Sequence, residues 1–139
     1  MEVEKLGYKG LLVWQKAIEL TVEIYRLVKK LPKDELYALS GQMRRAAVSI
    51  PCNIAEGQDR TSIREFIHFL TVARGSKSEL ETQLLICVKV GYFDTHEIVL
   101  AMNLLKEIGK MITSLINITS LINKLKPDPS DNRRLITDN

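Results

Sequence analysis

Residues 62–90 read SIREFIHFLTVARGSKSELETQLLICVKV, a stretch with no proline whose apolar residues recur at helical spacing on either side of a polar RGSKSE segment. On a wheel of 100° per residue, Phe66, Phe69, Leu70, Ala73, Leu80, Leu84 and Cys87 fall within an arc of about 100°, the signature of a helix with one core-facing side. Ser62 and Glu65 stand in the S-x-x-E form of a capping box, in which each side chain satisfies a backbone N–H left free by the first turn. Gly91 follows the last periodic residue, where a helix commonly stops. The stretch therefore predicts one helix of about 40 Å at 1.5 Å per residue.

The same signals recur on either side. Downstream, Asp94-Thr95-His96-Glu97 has a related box with Asp at the cap, and opens a helix that runs to about Leu125, before Pro127. Its core seam is Leu105, Ile108, Ile112, Leu115, Thr119 and Ile122. Upstream, a helix is predicted from Leu36 to Gly57, with Asp34 as cap and Leu39, Met43, Ala46, Ala47, Ile50 and Ile54 facing inward. Pro51 lies inside it, and an interior proline removes a backbone hydrogen bond, so a kink or a break between Ser49 and Asn53 is expected. A first helix spans Leu11 to Lys30. Trp14, Ile18, Thr21, Tyr25 and Val28 form one apolar stripe and Leu20, Ile24 and Leu27 lie beside it, while Glu19, Glu23 and Arg26 belong to the solvent strip. Residues 126–139, KPDPSDNRRLITDN, are polar and broken by proline, and are expected to form a disordered tail after a domain at 1–125.

Composition agrees with four helices. The 139 residues suit one domain, and 6% aromatics with 7 glycines and 4 prolines disfavour a β-sandwich or barrel and its many tight turns. No apolar run approaches the roughly 18 uncharged residues of a transmembrane span. The opening MEVEKLGYKG lacks the basic-then-apolar layout of a signal peptide. Cys52 and Cys87 stand far apart in no CxxC pattern, which fits a reducing compartment, so the expected location is cytoplasmic.

The formal charge of +3 is too small to identify a partner, so its distribution has to carry the reading. Arg60, Arg64, Arg74 and Lys89 fall within a fan of about 80° opposite the core arc of the third helix. Such a fan is either a solvated face or, repeated over several subunits, a surface that follows a phosphate backbone. Arg45 points away from the core stripe and can join it, whereas Arg44 is expected to pair with Glu79 or Glu81 of a neighbouring helix. No aromatic is interleaved with the fan, so recognition of shape or backbone is expected rather than stacking. In the last helix, MITSLINITSLIN (111–123) carries no charge. Met111, Ile118, Leu121 and Leu125 are apolar outside its seam, and Ile67, Leu85 and Ile86 lie off the core arc of the preceding helix. An exposed apolar strip of that length marks association, here a homo-oligomer built through the last two helices.

Chemistry for catalysis does not assemble. Glu65-Phe66-Ile67-His68 gives one Glu-x-x-His, but a di-iron bundle needs two plus further glutamates. Cys52, His68, Cys87 and His96 lack zinc spacing, and neither a phosphate-cradling GxxxxGK[ST] loop nor a GxSxG elbow occurs. No catalytic residue, metal or cofactor is expected, and the protein is read as a non-enzyme.

Three segments, LLVWQKAIELTVEIYRLVKKLPKDELYAL, SGQMRRAAVSIPCNIAEGQDR and REFIHFLTVARGSKSELETQL, together with the closing VGYF, carry a resemblance. Over about residues 11–93 the chain resembles the four-helix-bundle proteins encoded by intervening sequences in bacterial large-subunit ribosomal RNA genes, relatives of the accessory protein of diversity-generating retroelements. The resemblance implies an all-α, antiparallel up-down four-helix bundle, here with a Pro-kinked second helix. It also implies assembly as a homopentamer without enzymatic activity, and partners among nucleic acids, RNA first, and reverse transcriptase. Arg44 and Arg45 match the paired basic positions of that family. The expected function is a nucleic-acid-binding accessory protein, and the alternative is an oligomeric protein-binding scaffold.

Overall fold

The computed structural model describes residues 3–125, and among these the long elements are four helices: α1 (Leu12–Val28), α2 (Leu39–Gln58), α3 (Ile63–Lys89) and α4 (Val99–Leu125). A 3-10 segment, Val3–Gly10, precedes α1, and its Tyr8 ring meets Trp14 edge-on at 5.4 Å. The tail expected at 126–139 lies outside the described residues. Each long helix packs on two others: α2 on α1 and α3, α4 on α3 and α1. Met43 meets Cys87 while Gly57 meets Phe69, so α2 and α3 run in opposite directions. Lys30 pairs with Glu97 and Lys16 with Glu107, so α1 and α4 do too.

The helix ends follow their capping chemistry. Ser62 Oγ accepts from the Glu65 amide at 3.4 Å, and at Asp94 both halves of the box with Glu97 are present. The turn after Asp94 is 3-10 (Thr95–Ile98) before α4 settles into α geometry. Gly91, at φ 89°, ends α3 in the left-handed region that favours glycine. The Tyr92 amide reaches back to the Cys87 carbonyl at 2.8 Å and that of Gly91 to Val88 at 3.1 Å, a full Schellman closure. It delivers Phe93 into the core and turns the Tyr92 hydroxyl to the Glu35 carboxylate at 2.7 Å. That hydrogen bond holds Tyr92 above its ordinary pKa. One expected boundary moves. Lys33–Glu35 forms its own 3-10 turn, so α2 starts at Leu39 rather than Leu36, and its first amide is met by Glu35 Oε1 rather than by Asp34.

The core matches the expected stripes of α2, and on α3 Leu70, Ala73, Leu80, Leu84 and Cys87 are fully enclosed while Phe66 and Phe69 are half-buried. Three expectations fail. On α1 the buried stripe is Val13, Ala17, Leu20, Ile24, Leu27 and Val28, which leaves Ile18 and Tyr25 exposed beside Val22. Glu23, placed on the solvent strip, is instead buried at 6%, a position it tolerates because Arg26 grips both carboxylate oxygens at 2.7 and 2.6 Å. On α4 the seam holds through Leu105, Ile108 and Ile112, but Ile122 is 46% exposed. Leu11 to Val13, where α1 begins, lie level with Lys110 to Leu115. Beyond that point α4 has no stretch of α1 beside it to close over its seam.

Pro51 is buried, and α2 runs through it without the break that was one of the two expected outcomes. A proline at this position cannot donate to the carbonyl of Ala47 one turn earlier. That carbonyl finds another donor: the Thr21 hydroxyl of α1 stands 3.2 Å away, while also lying 2.8 Å from Ala17 of its own helix. The hydroxyl's single proton is shared, with Ala17 the closer acceptor, so the orphaned carbonyl is served in part from the neighbouring helix.

Candidate nucleic-acid interface

Arg74 and Lys77 lie one turn apart on α3, and Lys106 and Lys110 one turn apart on α4. The antiparallel packing of the two helices brings all four to one open groove of about 860 Å³. Gly109 lets the helices approach here: the stem of Lys77 lies across it, with Cε 3.0 Å from where a Cβ would stand. Arg74 extends to Thr113 Oγ1 at 3.4 Å, and Lys77 pairs with Glu81 at 3.5 Å. Lys106 and Lys110 are exposed and have no ion pair among the described residues. Ser78, Ser114 and Asn117 add neutral donors to the walls. Four cations facing one carboxylate, with hydroxyl and amide groups between them, form a surface suited to a polyanion whose oxygens accept from both charged and neutral donors.

The residues expected at the site do not form one continuous stripe. Arg60 folds toward α2, where it meets Glu56 at 2.6 Å and lies 5.2 Å from the centre of the Phe69 ring. Arg74 turns the other way, into the α3–α4 groove. Arg64 and Lys89 are exposed near opposite ends of α3, and Arg45 is exposed on α2 with its guanidinium folded over Gly41. A wheel fixes where a Cβ starts, and these long side chains end where their neighbours draw them. Arg44 is half-buried and does not take the expected partners: Glu81 is engaged by Lys77, and Glu79 accepts from Gln83. Lys77, Lys106 and Lys110 were missed by the sequence reading, although Lys106 and Lys110, one turn apart and flanking Gly109, were a readable signal.

Of the residues expected to mediate association, Leu85, Ile86, Ile118, Leu121 and Leu125 are exposed, the last at 74%, whereas Ile67 and Met111 are half-buried and Met111 packs on the core. Cys87 is enclosed against Met43 and burial pushes its thiol up to about 11, while Cys52 is exposed. Among the described residues no group of three or more His, Cys, Asp or Glu gathers as a metal site, and no helix is long and apolar enough to cross a membrane.

These features define a class of protein: a four-helix bundle with an open groove on its surface lined by four cations. The chain belongs to the family described as 23S rRNA-intervening sequence protein, which matches residues 9–114, covering α1, α2, α3 and α4 as far as Ser114. It is similar to the crystal structure of a protein of unknown function from the S23 ribosomal protein family of Bacteroides thetaiotaomicron VPI-5482. The two share 29% identity with a TM-score of 0.71, over 76% of this chain and 98% of that one. A comparison with curated proteins gave no match.

Proposed function

We propose that the protein is a non-enzymatic, oligomeric accessory protein that binds nucleic acid, RNA first, through its basic outer surface. The observation that carries this reading is the groove where Arg74, Lys77, Lys106 and Lys110 converge with a single carboxylate among them. Membership of a family whose description ties it to 23S rRNA intervening sequences supports the choice of RNA. Self-association multiplies the effect, because a groove repeated around an assembly focuses its field and adds avidity that one copy lacks. The exposed Ile118, Leu121 and Leu125 of α4 and Leu85 and Ile86 of α3 support that association. The same apolar residues favour the second reading, a protein-binding scaffold with no role for nucleic acid. Two free thiols, one of them exposed, suit a cytoplasmic setting.

The test is titration of labelled structured RNA and duplex DNA in about 0.1 M salt, with light scattering on the same preparation. Binding tighter than about 10⁻⁴ M is expected, with log K falling against log salt at a slope of about −3 to −4.5 if roughly five phosphates are neutralised. Lys106→Glu combined with Lys110→Glu should flatten that slope and weaken binding at least tenfold, while stability stays within about 0.5 kcal/mol because both lysines are exposed. A wild type that assembles yet binds neither ligand would give first place to the scaffold.

A further inference from the structure

Tyr25 of α1 and Val48 of α2 meet on the outside of the bundle as a ridge with a hollow on each side. The two hollows measure about 520 and 440 Å³. Tyr25 is 42% exposed, and its hydroxyl has no hydrogen-bond partner among the described residues. Cations flank the ring on both sides: Arg26 and Lys29 line the first hollow, Arg44 and Arg45 the second, and no carboxylate lines either. Arg26 is already committed to Glu23, but Lys29, Arg44 and Arg45 have no ion pair among the described residues. Gly41 keeps this arrangement open. A Cβ there would stand 3.3 Å from Arg45 Nη1 and 3.4 Å from the Leu36 carbonyl, so the guanidinium lies where a side chain would displace it.

An accessible aromatic face among unpaired cations fits a flat π-system tethered to anionic groups. Within the reading of this protein as a nucleic-acid binder, on which the inference rests, we propose that the Tyr25–Val48 ridge stacks an unpaired base of a single-stranded segment. The flanking phosphates then fall on Lys29, Arg44 and Arg45. In a duplex the base faces are covered by their neighbours, so the ridge discriminates for single strands, whereas the α3–α4 groove asks only for a charged backbone. This site lies on the α1–α2 side of the bundle. Tyr25 and the Arg44–Arg45 pair come together only when α1 packs on α2, so no single stretch of sequence displays the site.

The experiment titrates the full chain, wild type, Tyr25→Phe and Tyr25→Ala, with a short oligouridine carrying one fluorescent base and separately with a fully paired RNA hairpin. Circular dichroism and light scattering accompany each variant. Tyr25→Ala is expected to weaken oligouridine binding roughly 5- to 150-fold, the range for loss of one stacked base, while Tyr25→Phe keeps it within about twofold. Hairpin binding should be unchanged in both. Equal oligouridine affinity for wild type and Tyr25→Ala overturns the inference, as does a loss of the same size for Tyr25→Phe. A fall in assembly mass with Tyr25→Ala also overturns it, since a second copy then covers the ridge. If the hairpin binds and oligouridine does not, only this inference fails; if neither binds, the nucleic-acid reading fails with it.

Discussion

On its α2 side, α3 meets Gly57, Ser49 and Met43; on its α4 side it meets Gly109, Thr113 and the lysines of the groove. Both seams use a glycine to bring two helices together, but what crosses each glycine differs. At Gly57 a Cβ would stand 2.9 Å from Phe69 Cβ and 3.3 Å from the Phe66 carbonyl, groups fixed to the helix itself. At Gly109 it would meet only the outer carbons and ammonium of Lys77. The first seam is backbone against backbone, completed by the Ser49–Ser76 hydroxyl contact at 2.8 Å. The second is filled by a long charged side chain, the Lys77 stem lying across Gly109 beside the open groove. One flank of α3 is thus closed by fixed groups, and the other by a side chain that can move.

The strongest way to break this contrast is to add the same methyl group to both glycines. Gly57→Ala should lose about 1 to 3 kcal/mol, the usual cost of forcing atoms into a filled seam. Gly109→Ala should be neutral or stabilising by up to about 1 kcal/mol, since alanine is the better helix former and a lysine tip can swing aside. Thermal melts of the two variants decide it, and equal losses would mean the α4 seam is as rigid as the α2 seam.

A smaller effect concerns how α2 reconciles its proline with the tight seam. Thr21→Val removes the donor to the Ala47 carbonyl and should cost about 1 kcal/mol. In combination with Pro51→Ala the cost should shrink, because the new backbone N–H can serve that carbonyl; denaturant melts of the four chains measure the coupling. Pro51→Ala alone should not raise the melting temperature. Pro51 is buried, and the space it vacates offsets the better helix propensity of alanine.

The mildest test compares the two thiols. Ellman titration should count Cys52 in the native protein and both cysteines in denaturant. The fold holds Cys87 as the neutral thiol, with its pKa raised from 9.0 to about 11 by burial first and the Glu35 charge second. Its contribution to stability is therefore complete below about pH 9 and fades as the pH climbs through about 11. Tyr92, raised above 10.0 by its bond to Glu35, acts in the same direction. Urea melts in that alkaline range should show the decline, reduced by Tyr92→Phe.

Much of the fold was legible because local rules decided it: the Ser62 cap, the Asp94 box, the stop at Gly91 and the three-and-four spacing each act within one or two turns. The burial of Glu23 was not, since a helical wheel assigns charge to solvent and does not weigh what Arg26, one turn on, can neutralise. The motif residues behind the resemblance now have physical reasons. In NIAEG, Asn53 bonds back to the Ser49 carbonyl at 2.7 Å, Ile54 fills the core, and Gly57 admits Phe69. In VGYF the Schellman closure aims Tyr92 and Phe93. The site was less legible than the fold. Lys106 and Lys110 are readable as a pair, but the groove they share with Arg74 and Lys77 depends on register, and register is a property of two helices together.

The ends of the bundle also differ. At one, Tyr92 bonds to Glu35 and Lys30 pairs with Glu97, so the α1–α2 connection is stitched to the turn between α3 and α4. At the other, α4 continues past Leu115 without α1 beside it. Its last turns therefore answer to a local opening equilibrium rather than to the global one. After Ile116 only Asn123 of α4 is buried, so opening these turns is expected to expose little of the core and to cost a small fraction of unfolding the bundle.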